Sequence, residues 1–88
     1  MLIKKKFGRI DIVHNNAGIA HCVKCEDMTF EQWRNVLSID LDAVFLVARA
    51  AGRYMIADGN GGSIINTASM SGVIVNYPQE QVAYNAAK

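Results

Sequence analysis

The chain of 88 residues is long enough for one small domain, and 51% of its residues are apolar, which excludes disorder by composition. Its net charge of +1 gives no electrostatic footprint for nucleic acid or an anionic membrane. We expect no secretory signal, because the first residues do not form a long apolar core followed by a small-residue cleavage site. We expect no membrane span, because the sequence contains no stretch of about 18 apolar residues. Two cysteines in that context indicate free thiols, so we expect a cytoplasmic location.

The first predicted elements are a helix end and a strand. Three lysines and a glycine in residues 4–8 are typical of the last turn of a helix, where cations suit the dipole and glycine suits the left-handed cap. The β-branched apolar run in residues 10–14, which Asn15 closes, predicts a buried strand over residues 10–15. Residues 19–27 are predicted to form a loop.

A long helix is predicted next. Thr29 and Gln32 form the pattern of a capping box, so the helix should run over residues 30–57 until the glycine-rich segment 58–62 stops it. Its apolar residues cover so much of the circumference that we expect it to pack against the sheet and against a second helix. The central apolar stripe consists of Trp33, Val36, Leu37, Val44, Val47, Ala51 and Met55.

A second strand over residues 63–68 follows, then a loop over residues 69–80 and the first turns of a helix over residues 81–88. Strand, long helix and strand make one βαβ unit, in which the two strands are parallel and the crossover is right-handed. We therefore expect the α/β class, as part of a doubly wound parallel sheet. Ligands bind at the carboxyl ends of such strands, which indicates the segments that begin at Asn15 and Ser69.

Tyr84 and Lys88 are candidates for acid–base chemistry. They lie four positions apart in a predicted helix and so share one face. A phenol has a reference pKa of about 10, and a nearby ammonium lowers it by favouring the phenolate. Such a tyrosine can exchange a proton with a substrate oxygen, to which Ser69 could donate a hydrogen bond. The spacing alone is common in helices, so the surrounding motifs decide its meaning.

Three motifs in order supply that context. They are Asp11-Ile12-Val13-His14-Asn15-Asn16-Ala17-Gly18, Gly62-Ser63-Ile64-Ile65-Asn66-Thr67-Ala68-Ser69-Met70-Ser71-Gly72 and Tyr84-Asn85-Ala86-Ala87-Lys88. Together they closely resemble the ordered signatures of the classical short-chain dehydrogenases/reductases, and the resemblance covers residues 7–88. The fold that this resemblance implies is a partial Rossmann-type sheet.

The resemblance also implies roles for the matching residues. In that family the Asn-Asn-Ala-Gly turn, here residues 15–18, steadies the central sheet and lines the cofactor site. The family's serine orients the substrate and matches Ser69. Its tyrosine is the general acid/base and matches Tyr84. Its lysine binds the nicotinamide ribose, lowers the pKa of the tyrosine and matches Lys88.

The implied activity is hydride transfer between NAD or NADP and an alcohol or carbonyl substrate, in a protein that forms a homo-oligomer. The sequence around Ser69 and Tyr84 looks most like that of family members that act on sugars and polyols. No metal, nucleic acid or membrane partner is expected.

Two residues depart from the family pattern. The usual asparagine of the long helix, which supports a proton relay through water, is replaced by Asp40 within the apolar stripe. A carboxylate there must be paired, hydrated or protonated, and it could still bind the relay water. His14 replaces an apolar strand residue, and we interpret it as a packed or hydrogen-bonded core histidine.

The family's glycine-rich phosphate loop has no counterpart in residues 1–88. The glycines in residues 59–62 precede a strand, whereas a phosphate loop follows a strand and opens a helix. The family's later substrate loops have no counterpart either. We therefore expect residues 1–88 to be a single partial dinucleotide-binding domain that is inactive and poorly stable by itself.

Two alternatives stay open at this point. The chain could be a non-enzymatic fragment that associates with full-length dehydrogenase subunits through its long apolar helix. It could also be a small metal-binding module built on Cys22 and Cys25. Zinc takes four ligands and no second cysteine pair is present, so we interpret both residues as loop thiols.

Overall fold

The computed structural model describes residues 2–88. The helices and strands, in chain order, are α1 (Leu2–Phe7), β1 (Ile12–Asn15), α2 (Phe30–Leu37), α3 (Ala43–Asp58), β2 (Ser63–Asn66) and α4 (Val82–Ala87). A π-helical turn, Ser38–Asp42, joins α2 to α3, and short 3-10 turns lie at Cys25–Asp27 and Met70–Gly72. The predicted order of strand, long helix, strand and helix start is confirmed. Within residues 2–88, no helix combines the length and the apolar character that a membrane span requires.

Strands β1 and β2 pair in parallel, as predicted. The register runs from Ile12 opposite Ser63 to Asn15 opposite Asn66. The backbone N–H of Thr67 donates to the carbonyl of Asn15 at 3.0 Å, which extends the pairing beyond the carboxyl end of β2. The carboxyl ends of the two strands therefore lie side by side.

The strands are more exposed than the sequence indicated. We expected the apolar run of β1 to be buried, but Ile12 is 69% exposed and the isoleucines of β2 are exposed as well. A parallel sheet is buried only when other elements cover both of its faces. The described residues supply two strands, so each strand has one unpaired edge. The prediction of a buried strand is therefore wrong for this chain, although Ile10 just before β1 is buried.

The described residues form two compact units. The first consists of the described residues up to Asn16 together with Phe45–Thr67. The second consists of Ala17–Val44 and Ala68–Lys88. The first unit holds both strands, and the second holds α2, the π-helical turn and α4.

The amino-terminal helix of the first unit ends where the lysine and glycine pattern predicted. Gly8 has a φ of 84°, and its N–H donates to the carbonyl of Lys4 at 2.8 Å. Lys4 also forms an ion pair with Asp58 at the end of α3. Close by in sequence, the carboxylate of Asp11 accepts a hydrogen bond from Arg9 and raises the pKa of that guanidinium. These contacts fix the segment that leads into β1.

The buried apolar side chains of the first unit are Ile10, Ala51 and Met55. Met55 lies so close to Gly62 that a Cβ there would be 2.5 Å from its sulfur. Helix α3 ends in the predicted glycine-rich segment, because Gly59 has a φ of 69° and donates to the carbonyl of Met55 at 3.2 Å. This left-handed conformation is typical of glycine after a helix. Residues 59–62 thus act as a helix stop ahead of β2.

The second unit packs α2 against α4. Val36 of α2 and Ala83 of α4 are completely buried, and the two helices are in contact. The predicted capping box is present: Thr29 Oγ1 accepts from the Gln32 N–H at 3.1 Å, and Gln32 Oε1 accepts from the Thr29 N–H at 3.0 Å. Loss of such a cap typically costs about 1 kcal/mol, so it fixes the start of α2.

Candidate active site

Side chains tie together the carboxyl ends of β1 and β2. Asn15 Nδ2 donates to Asn66 Oδ1 at 3.0 Å, and Thr67 Oγ1 donates to Asn16 Oδ1 at 3.1 Å. Asn15 is buried, and a buried amide needs such partners to avoid a desolvation penalty. These bonds hold the strand ends beside the turn that the family resemblance assigns to the cofactor site.

His14 forms a side-chain hydrogen bond, as the sequence analysis predicted. Its Nε2 lies 2.7 Å from Thr67 Oγ1. The residue is exposed, so the interpretation as a core histidine is wrong for this chain. The reason is the same as for the rest of β1, because no described element buries that part of the strand.

Gly18 lies next to two other predicted site residues, Asp40 and Lys88. A Cβ at this position would lie 3.4 Å from Asp40 Oδ1 and 3.5 Å from Lys88 Nζ. Asp40 Oδ1 also accepts a hydrogen bond from the backbone N–H of Ile19 at 2.8 Å. The glycine therefore lies beside a carboxylate oxygen and an ammonium at once, and a branched side chain here would displace one of them.

Asp40 faces the interior, as its place in the apolar stripe predicted. It is 2% exposed, and the N–H of Ile19 that it binds follows the Asn15–Gly18 motif. Its second oxygen, Oδ2, is buried without a hydrogen-bond partner. The π-helical turn around it was not predicted, because the apolar pattern continues through the turn. Such turns occur frequently at functional sites.

Tyr84 and Lys88 lie on one face at the end of α4. Lys88 Nζ is 5.8 Å from the centroid of the Tyr84 ring, which is within the range of about 6 Å for a cation–π contact. Both residues are half-buried. The geometry brings the ammonium close to the phenol ring, as the four-residue spacing predicted.

Ser69 directly precedes the 3-10 turn Met70–Gly72. Its Oγ accepts a hydrogen bond from the backbone N–H of Ser71 at 3.1 Å, and the residue is half-buried. The turn is in contact with α4. The convergence of the Ser69 hydroxyl and the Tyr84 phenol on one substrate oxygen stays a prediction.

A polar cluster between these residues was missed by the sequence analysis. Ser71 is 5% exposed, and its Oγ donates to Asn76 Oδ1 at 2.5 Å. Gln81 Nε2 donates to the same Asn76 oxygen at 3.3 Å. The three polar residues lie in and next to a predicted loop, where periodicity carries no information about burial. The one signal for Ser71 in the sequence is its place in the motif over residues 62–72.

In the part of the chain that the structure describes, the two cysteines are not grouped with other side chains that could bind a metal ion. Cys22 and Cys25 are exposed free thiols. The ring of His21 pairs with Asn35, with 3.2 Å between Nε2 and Nδ2. Across residues 2–88, no three histidine, cysteine, aspartate or glutamate side chains gather in a way that could hold a metal ion. The metal-binding alternative therefore gains no support from these residues.

The fold matches that of known dehydrogenases. A short-chain type dehydrogenase/reductase from Mycobacterium marinum superposes with a TM-score of 0.96 and 41% identity. The match covers 99% of this chain and 34% of that protein. The two parallel strands and the long helix are thus part of a Rossmann-type α/β fold, as expected.

The sequence comparisons identify the family. The family profile described as short chain dehydrogenase matches residues 2–88. The NADP-dependent mannitol dehydrogenase of Alternaria alternata is 44% identical over 84 residues, which cover 96% of this chain and 31% of that protein. The NAD-dependent glycerol dehydrogenase of Listeria innocua is 44% identical over 86 residues, which cover 98% of this chain and 33% of that protein. The chain belongs to the short-chain dehydrogenase/reductase family, and it spans about a third of the length of these curated relatives.

Proposed function

We propose that the full-length protein carrying these residues is an NAD(P)-dependent oxidoreductase that interconverts an alcohol and a carbonyl compound. The observation that carries this proposal is the pair on α4, in which the Lys88 ammonium lies 5.8 Å from the Tyr84 ring centroid. The names of the mannitol and glycerol dehydrogenases support a polyol or sugar as the substrate class.

Each residue of the proposed site has a defined task. Tyr84 exchanges a proton with the substrate oxygen, and the ammonium of Lys88 lies beside its ring. General acid–base transfer of this kind contributes about 10²- to 10⁴-fold to a rate. Ser69 accepts a hydrogen bond from the Ser71 N–H, which leaves its own hydroxyl hydrogen to donate to the same substrate oxygen. Serine and tyrosine thus act on one atom of the substrate.

The surroundings of Gly18 fit the nicotinamide ribose of a dinucleotide. Gly18 is exposed and has no side chain, so a ligand can approach its backbone, and the Lys88 ammonium lies within 3.5 Å of its Cβ position. In this proposal Lys88 holds the ribose, and Asn15 and Asn16 join the site on the basis of the family resemblance alone. When bound, the cofactor supplies or accepts the hydride. Residues 2–88 lack the acidic or basic residue by which the family selects between the two cofactors, so the proposal covers NAD and NADP alike.

An assay with small polyols tests this proposal. The full-length protein, given mannitol or glycerol with NAD or NADP, should produce reduced nicotinamide, which is followed by its absorbance. Ser69→Ala should lower kcat about 10²-fold, because it removes a hydrogen-bond donor from the substrate oxygen. Ser38→Ala is the matched control, since Ser38 is exposed and donates only to the Asn35 carbonyl of its own helix. Absence of cofactor reduction with every alcohol tried would contradict the proposal.

Asp40 belongs to the proposed site as the residue in place of the family's asparagine. Asp40→Asn should preserve or raise activity, because it restores the side chain that is usual in the family and keeps an oxygen for the Ile19 N–H. Asp42→Asn is the control, since it breaks only an exposed pair with Arg34. A large loss of activity in Asp40→Asn would show that the carboxylate takes part in the reaction.

The exposed apolar residues of α3 favour a second candidate function, namely association with full-length dehydrogenase subunits without catalysis. Phe45, Leu46 and Ile56 are all exposed. Large exposed apolar patches are typical of interaction surfaces. A non-catalytic fragment would give no saturable signal in a cofactor titration but would co-elute with the full-length subunits, which separates the two candidates.

The proposal also includes a cytoplasmic location and a homo-oligomeric state. The free thiols of Cys22 and Cys25 persist most readily in a reducing compartment. Light scattering on the full-length protein measures the oligomeric state directly.

A further inference from the structure

The 3-10 turn Met70–Gly72 connects the two parts of the proposed site, Ser69 and helix α4. At its start, the Ser71 N–H donates to Ser69 Oγ at 3.1 Å. At its end, a Cβ on Gly72 would lie 2.5 Å from the carbonyl carbon of Lys88 and 2.6 Å from its oxygen. No side chain fits at Gly72 unless the backbone of Lys88 moves. One turn therefore sets both the serine hydroxyl and the end of the helix that bears Tyr84.

A partly buried polar cluster joins the same turn to the start of α4. Ser71 Oγ donates to Asn76 Oδ1 at 2.5 Å, and the N-cap residue of α4, Gln81, donates to that oxygen at 3.3 Å and to Ser71 Oγ at 3.4 Å. We call these three residues the turn clasp. Asn76 Oδ1 accepts from both partners, so removal of this oxygen leaves the buried Ser71 hydroxyl without its acceptor.

We propose that the turn clasp and Gly72 position the Ser69 hydroxyl relative to Tyr84 and Lys88. This inference rests on the proposed function. Between the 3-10 turn and α4 the chain has no regular helix or strand, and the hydrogen bonds of the turn clasp join the two ends of this segment. The reaction requires two donors on one substrate oxygen, and a displacement of about 1 Å in such a site can cost about 10²-fold in rate.

Substitution of Asn76 in the full-length protein tests the clasp. Asn76→Ala should lower kcat by about 10- to 100-fold, because both donors lose their shared acceptor and Ser69 shifts. Cofactor affinity should stay unchanged, since Asn76 contacts only Ser71 and Gln81 among the hydrogen-bonded residues. Asn76→Asp keeps the acceptor oxygen and should restore most of kcat. A role limited to stability would lower the unfolding temperature and leave kcat of the folded enzyme unchanged, which would overturn the proposal.

Gly72→Ala provides an independent second variant. Its methyl group must displace the Lys88 backbone, so kcat should fall by about 10-fold or more. Gly52→Ala is the matched control, because no atom lies within 4 Å of its Cβ position. Full kcat in either Asn76→Ala or Gly72→Ala would overturn the proposal and leave the proposed function intact. An unsubstituted protein that reduces no cofactor would instead overturn the proposed function, and this inference with it.

Discussion

Replacement of Tyr84 with phenylalanine is expected to abolish turnover in the full-length protein while cofactor affinity stays unchanged. The change removes the phenolic hydroxyl that exchanges a proton with the substrate oxygen. It keeps the ring that lies 5.8 Å from the Lys88 ammonium, so the lysine retains its neighbour. Loss of a general acid–base group typically costs about 10²- to 10⁴-fold, and this tyrosine is the only acid–base group in the proposal that faces the substrate.

Initial rates with a polyol give kcat, and titration of reduced nicotinamide gives cofactor affinity. Tyr77→Phe is the matched control, because it makes the same chemical change at a side chain that is 95% exposed. It should leave both quantities unchanged. Equal loss of turnover and of cofactor affinity in Tyr84→Phe would indicate a structural role for the phenol. Full activity would remove Tyr84 from the mechanism.

Local features of this fold could be predicted from the sequence because their partners are close in the chain. The capping box at Thr29 and Gln32 joins residues three positions apart, and both of its bonds are present. The helix stop at Gly59 depends on the positive φ that glycine adopts readily. The Tyr84–Lys88 pair likewise depends only on helical spacing.

The exposure of β1 could not be predicted in the same way. Its apolar, β-branched residues describe what the strand can bury, whereas burial depends on the elements that cover the sheet. Ile12 is 69% exposed because the described residues provide no such cover at that position. The pattern therefore predicts the strand correctly and its environment incorrectly.

The contacts that assemble the candidate site were also beyond the local pattern. Asp40 binds the N–H of Ile19 across 21 positions, and no propensity scale encodes such a bond. The helical stripe predicted that Asp40 is buried, but the π-helical turn around it was not predicted. The turn clasp joins Ser71, Asn76 and Gln81 in a segment without periodicity, so its burial follows from packing alone.

The 88-residue polypeptide, produced by itself, is expected to associate and to bind no nicotinamide cofactor. Within residues 2–88 the two strands each leave one edge unpaired, and unpaired edges act as templates for pairing with other chains. Apolar side chains of the same unit, Ile12 and Ile56 among them, are exposed, and Ile56 reaches 82%. A chain of this size buries a smaller share of its surface than a full-length domain does, so its folding is marginal.

Cofactor binding should fail for a separate reason. Dinucleotide pyrophosphates bind where a glycine-rich turn follows a strand and opens a helix, and residues 2–88 contain no such turn. Light scattering should report oligomers or aggregates, and cofactor titration should give no saturable signal. Ile56→Lys should reduce association, since it places a charge in the exposed apolar surface of α3, whereas Arg53→Lys on the same helix should not. A monomeric sample that unfolds cooperatively and reduces cofactor would overturn this prediction, and would mean that a surface within these residues holds the dinucleotide without a phosphate-binding turn.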